Sequence, residues 1–248
     1  MKKLLVILLF MAIPCSAQVV LLSPLSEEFE LKPGAKATGN LNIKNKDENV
    51  AVEVQIRQAD YFTSADGTCR FPAPGISTRS NASWIDLPTL FTIPAGEKAT
   101  IPYAIKVPRT KLEGSYWSVL LISAKKAPEA TRDSPIGIAI KLEYAVQIIT
   151  HVGNGTADLE FLCTRLKEDF LIVDVANTGT RTLRPQLILE INKNGKAIKE
   201  IIGKSHISHP GCSVRYSTQL ELMPGNYEIS VILSAGGQLW GRKLSLRF

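Results

Sequence analysis

Beyond residue 17 the chain is built from strand-length runs, alternating or continuously apolar, that are broken every few residues by Gly, Pro, Asn or Asp. Almost no segment sustains the 3.6-residue apolar period of a helix. In the first half the runs fall near 18–23, 38–45, 50–58, 68–71, 89–93, 98–107, 115–124 and 136–152. The second half repeats the habit near 157–164, 169–177, 184–192, 196–202, 213–222, 225–234 and 238–247. Breaks such as "KPGA", "SADGT", "PAPG", "NTGT", "MPGN" and "AGGQ" supply the residues that tight turns need. Two groups of seven or eight short strands without helices predict an all-β chain of two immunoglobulin-like β-sandwiches. We place the first over 18–152 and the second, immunoglobulin- or fibronectin-like, over 153–248.

One phrase is written almost twice. "FELKPGAKATGNLNIKN" begins at Phe29 and "FTIPAGEKATIPYAIKVP" at Phe91, and seven positions coincide without gaps: Phe29/Phe91, Gly34/Gly96, Lys36/Lys98, Ala37/Ala99, Thr38/Thr100, Ile43/Ile105 and Lys44/Lys106. The copies lie 62 residues apart, too close for tandem sandwiches of about 100 residues each. They read as two strand–turn–strand corners of one sandwich whose second strands lie side by side. Leu41, Ile43, Ile101, Tyr103 and Ile105 then face a shared core.

The longest alternation runs through Ile136, Ile138, Ile140, Leu142, Tyr144, Val146, Ile148 and Thr150, after the loop "PEATRDSP" at 128–135. An ordinary strand has about five or six residues. One this long crosses between domains or serves something beyond one domain's core.

The N-terminus has basic Lys2 and Lys3, an apolar run from Leu4 to Ile13, and small residues Ser16 and Ala17 before Gln18. This is the pattern of a secretory signal over 1–17, with the exported chain starting at Gln18. Its apolar run is half the roughly 20 residues of a spanning helix, and no later stretch is long enough to span. Removing 1–17 leaves 27 basic and 23 acidic residues, scattered singly along the strands. That is a solvated surface and not a nucleic-acid face. Three cysteines follow the signal, and in an oxidising compartment Cys163 with Cys212, both in the second half, is the expected pair, leaving Cys69.

Catalytic signatures are missing: there is no nucleophile elbow, paired-carboxylate motif, phosphate loop or dinucleotide fingerprint. The reading is therefore no enzyme and no cofactor. His206, His209 and Cys212 in "HISHPGC" could offer soft ligands to zinc or copper, but they sit in a Pro-Gly loop without a fourth ligand, and no metal is expected. His151 is expected to be a surface histidine near a strand end. Trp84 and Trp117 should fill the first core or its edge, and Trp240 the second.

Residues 23–152 resemble the N-terminal immunoglobulin-like domain of bacterial periplasmic pilus-assembly chaperones. The resemblance is carried, in order, by "SP" at 23–24, "LKPGAKATGNLNIKNKD" at 31–47, "WIDLPTLFTIPAGEKATIPYAIKVP" at 84–108 and "GSYWSVLLI" at 114–122. "SPIGIAIKLEYAVQIITHVG" then looks like the long last strand of that domain. The resemblance implies a periplasmic chaperone that binds pilus, fimbrial or other β-rich exported subunits by strand donation. The donor residues would be Ile136, Ile138, Ile140 and Leu142, filling a client's gaps at every second position. It also implies a basic pair holding a client's terminal carboxylate. Here "QVVLLSPLSEEF" and "LEYAVQIITHV" contain no Arg or Lys; Lys141 is the nearest basic residue, and Lys44, Arg57 or Lys106 could substitute. The alternative is an exported immunoglobulin-like module that binds an envelope or surface ligand, its long alternation packed in its own core.

Overall fold

The computed structural model describes residues 19–125 and 142–247. The proposed signal over 1–17 and the positions Ile136, Ile138, Ile140 and Lys141 lie outside them.

The first eleven strands are β1 (Val19–Leu21), β2 (Ser26–Leu31), β3 (Lys36–Asn45), β4 (Val52–Ala59), β5 (Phe62–Thr63), β6 (Cys69–Arg70), β7 (Ile85–Asp86), β8 (Leu90–Ile93), β9 (Lys98–Lys106), β10 (Gly114–Lys125) and β11 (Glu143–Val152). They form a four-stranded sheet, β1-β3-β9-β7, facing a five-stranded sheet, β2-β11-β10-β4-β8, while β5 and β6 make a separate ribbon. The chain changes sheets between β1 and β2, and β2 joins β11 in parallel, in contrast to the antiparallel pairs elsewhere. The second set is β12 (Leu159–Lys167), β13 (Phe170–Asn177), β14 (Gln186–Lys193), β15 (Lys196–Ser205), β16 (Ser213–Gln219), β17 (Asn226–Ala235) and β18 (Gln238–Arg247). Its sheets are β12-β13-β16 and β15-β14-β17-β18. The protein is an all-β pair of sandwiches.

The repeated phrase builds the two expected corners. Lys32-Pro33-Gly34-Ala35 and Pro94-Ala95-Gly96-Glu97 each close with a backbone bond from the fourth residue to the first (3.0 and 3.2 Å). Their third residues, Gly34 and Gly96, have φ of +78° and +69°, a left-handed conformation that glycine adopts without a Cβ penalty. The strands after the corners, β3 and β9, are hydrogen-bonded neighbours with Leu41 opposite Ile101 and Ile43 opposite Ala99. Leu41, Ile43, Ile101, Tyr103 and Ile105 are all buried in the first core, together with Trp84, Val146 and Ile148. A second core gathers Leu171, Leu187, Leu189, Ile191, Tyr216 and Val231, with Trp240 packed at its margin.

The expected Cys163–Cys212 bridge is corrected. Cys69, Cys163 and Cys212 are all free thiols. Cys163 lies on β12 opposite Asp174 of β13, whereas Cys212 lies beyond β13 on the β16 side, its carbonyl accepting the N–H of Asn177. Two strand spacings amount to about 9–10 Å, and a disulfide needs Cα atoms within about 7 Å.

Candidate functional site at the junction of the two sandwiches

The start of β10, the end of β11 and the whole of β2 meet the segments 180–184 and 206–213 of the second sandwich. Close backbone approach sets this up. The Ser115 N–H donates to Thr180 O (2.8 Å), and Gly114, at φ +89°, leaves no room there for a Cβ, which would overlap the Thr180 carbonyl. Thr182 N–H donates to Ser115 Oγ (2.7 Å).

From Ser115 a relay crosses β11 to β2. Ser115 Oγ lies 2.7 Å from His151 Nδ1, and His151 Nε2 lies 3.2 Å from Glu28 Oε2. Since the Thr182 amide occupies a lone pair of the hydroxyl, its proton is free to point at Nδ1, and Nε2–H then donates to the carboxylate. Arg184 from the second sandwich donates through Nε to Glu28 Oε1 (2.7 Å) and through a terminal nitrogen to Ser26 Oγ (3.0 Å). The His151 hydrogen bond and the Arg184 cation outweigh burial and hold the Glu28 carboxyl down at about 2. Next along β2, Glu30 pairs with Arg181.

The expectation for His151 is corrected: it is buried, 4 % exposed. The alternation of β11 fails to show this because both faces of the strand are covered at its C-terminal end. Val146, Ile148 and Val152 enter the first core, and Ile149 packs with Trp117 and Cys212. Trp117 therefore serves the junction. It stacks on His209 with ring centroids 4.5 Å apart and planes 5° from parallel, and donates Nε1–H to Tyr61 O (2.8 Å).

His209 is 1 % exposed, with Nδ1 3.0 Å from Thr182 Oγ1 and Nε2 2.9 Å from Gln147 Oε1. Burial drives its pKa down to about 3, so the ring is neutral. Both its nitrogens are engaged, and its neighbour His206 lies exposed against the Tyr216 ring. Among the described residues no group of three or more His, Cys, Asp or Glu could hold a metal.

Ser115, His151 and Glu28 have the residue types of a hydrolytic triad, but Ser115 is fully buried and its Oγ is shared between the Thr182 amide and the ring. Nothing could reach it to be attacked. The relay locks β2, β11 and the second sandwich together.

Of the basic residues weighed from sequence, Arg57 faces Glu143 at 3.7 Å and Lys106 faces Asp86 at 3.4 Å. Two cations of the second sandwich that do reach the junction, Arg181 and Arg184, escaped the sequence reading. Their only signal was the pair in "TRTLRP", and both are spent on carboxylates of β2.

The other end of β11 contrasts with this. β10 pairs with β11 from Glu143 to Val152, but β2 covers its opposite edge only from Gln147 onward. Among the described residues no strand pairs with Tyr144, Ala145 or Val146 on that side. Leu142, on the face that supplies Val146 and Ile148 to the core, is 43 % exposed.

No protein-family model matches the sequence, and a search of curated proteins finds no match. Among solved structures, a chain of a chaperone–tip adhesin complex of CFA/I fimbriae biogenesis aligns at 15 % identity, covering 93 % of this chain and 98 % of its own, with a TM-score of 0.52. The protein has the two-domain immunoglobulin-like fold of the fimbrial chaperones. Further matches are the class 5 fimbriae chaperone CfaA (11 % identity, 92 % and 98 % coverage, TM-score 0.49) and the E. coli chaperone DraB (12 %, 93 % and 98 %, 0.42).

Proposed function

We propose that the protein is a non-enzymatic periplasmic chaperone that binds a fimbrial or other β-rich exported subunit by donating the strand over 136–142. The observation that carries this reading is the state of β11 at its N-terminal end. There Leu142, the first described residue on the core-facing side, is largely exposed, and among the described residues no strand lies beside the backbone edge at 144–146. In the sequence the same alternation includes Ile136, Ile138 and Ile140, which in strand donation would enter the gaps of an incomplete client sandwich. Main-chain bonds along the edge would supply affinity, and the apolar side chains register and specificity. Lys141, on the other face by the same alternation, is the proposed contact for a client carboxylate. The secretory pattern of residues 1–17 supports delivery to the periplasm.

Capture tests the proposal. The tagged chain is expressed in a periplasm, purified, and its companions identified by mass spectrometry. A stoichiometric β-rich subunit is expected, lost in Ile138→Asp/Ile140→Asp while the variant keeps its urea midpoint. A clean monomer without companions would overturn strand donation, and unfolding of the double variant would assign those isoleucines to the protein's own core.

A further inference from the structure

The outer face of the sheet β15-β14-β17-β18 carries a pattern that neither the second core nor strand donation uses. Across its middle, one register row reads Ile202, Ile188, Ile232, Gly241 from edge to edge. Ile202 is 62 % exposed, and Ile188 and Ile232 are half-buried and do not belong to the second core. At Gly241 the row has a notch: a Cβ there would meet nothing closer than Val231 O at 3.9 Å. The adjacent row reads Glu200, Glu190, Ser230, Lys243. Two exposed glutamates thus stand directly opposite each other on neighbouring strands, an unfavourable pairing. Among the described residues neither Glu190 nor Glu200 has a hydrogen-bond or ion-pair partner in the chain. Lys243, at the far end of their row, keeps most of its surface open while pairing with Glu228 at 3.1 Å.

We infer that this face is a self-association surface whose occupant is the same face of a second copy of the chain. A two-fold axis parallel to the strands, in the plane between two facing sheets, lays β15 over β18 of the second copy and β14 over β17. The rows stay in register, and aligned packing of this kind is a normal way for sheets to stack. Ile202 then fills the notch at Gly241 of the second copy, and Ile188 meets Ile232. In the next row Glu200 meets Lys243, twice by symmetry, which relieves the opposed glutamates. The surface is thus complementary to itself in both shape and charge, as an isologous interface requires. Addition at the β15 edge is a poorer route, since Lys196, Lys199 and Lys204 line that strand. Three strands of ten residues and one of eight present about 600 Å² per copy, or about 1,200 Å² in total. That is the lower end of specific interfaces and predicts a dimer that forms at micromolar concentrations and dissociates on dilution.

Sedimentation velocity of the signal-free full chain, over about two decades of concentration up to several hundred micromolar, tests the inference. The expected result is a monomer–dimer equilibrium that disappears in Ile202→Arg and in Glu200→Lys and returns in Glu200→Lys/Lys243→Glu, with urea midpoints showing each variant folded. The charge reversal reports on facing copies, which a general loss of stability would not rescue. A monomer at every concentration would overturn the inference. So would a dimer that survives Ile202→Arg, one lost only in Ile138→Asp/Ile140→Asp, or a reversal that fails to restore it.

Discussion

The two ends of β11 are opposites on a single strand. From Gln147 to Val152 the strand is paired on both edges and covered on both faces: by the first core, by Trp117 and Ile149, and by the relay from Ser115 through His151 to Glu28. From Tyr144 to Val146 one edge has no strand beside it among the described residues, and on the core-facing side Leu142 is largely exposed while Tyr144 and Val146 still reach the first core. The difference teaches how one end of a strand can be fixed on every side while the other keeps a bare edge. A free edge on a loosely held strand would slip or collapse onto its own domain. Here the anchored end fixes register and direction, and the opposite end inherits both.

Single substitutions at the two ends should therefore differ sharply. Ile148→Ala removes a fully buried side chain from the anchored end and should cost about 3 kcal/mol, read as a lowered urea midpoint. Leu142→Ala at the open end should stay within about 0.5 kcal/mol. Equal losses would mean that Leu142 is core and would remove the contrast.

The pH dependence of stability dissects the anchored end. His209 in the folded protein titrates near 3, well below its ordinary value of 6.5. The unfolded chain thus takes up a proton below pH 6.5 that the native state refuses, and stability falls with pH until about 3. The loss between pH 6.5 and 4.5 should be on the order of 2 kcal/mol. His209→Gln should flatten that limb, and an unchanged slope would show that the buried ring is not its source. Glu28, held at about 2 against 4.5 unfolded, acts in a lower window. Its contribution is complete above pH 4.5 and is lost as pH falls toward 2. Because the carboxylate is part-exposed, Glu28→Gln should cost less than about 1 kcal/mol above pH 5 and nothing at pH 2. A difference that persists at pH 2 would mean the residue acts through shape alone.

Much of the first sandwich was legible because its signals are local. Pro33-Gly34 and Gly96 announce turns by backbone chemistry alone, and the alternation in β3 and β9 follows from their shared core. The junction was not legible, for two physical reasons. A strand covered on both faces loses the polar positions that reveal its orientation, so His151 reads as surface although it is buried. The partners of β2 arrive from more than 150 positions away, as Arg181 and Arg184 do for Glu30 and Glu28. No spacing rule links them. Asn45 and Asn177 show the same limit in small. Both are buried at strand ends and donate to backbone carbonyls, Asn45 to Val50 O and Pro94 O, Asn177 to Arg181 O and Ser208 O. Only the first lies in a phrase that carries the family resemblance.

The smallest effect expected is also the one that separates packing from covalent stapling at the anchored end. Cys212 lies beneath Trp117 and Ile149, where burial pushes its thiol above the ordinary range. A raised pKa leaves little thiolate to attack a disulfide or an oxidant. Cys163 sits across β13 and cannot be bridged to it without breaking the β12-β13-β16 ladder. The junction therefore owes its hold to stacking, hydrogen bonds and ion pairs. Cys163→Ser, and reductant added to the unmodified protein, should each leave the urea midpoint within about 0.5 kcal/mol of its starting stability. A substantial loss in both would point to a Cys163 bridge holding the second sandwich, and the anchored end would then depend on redox state as well as on packing.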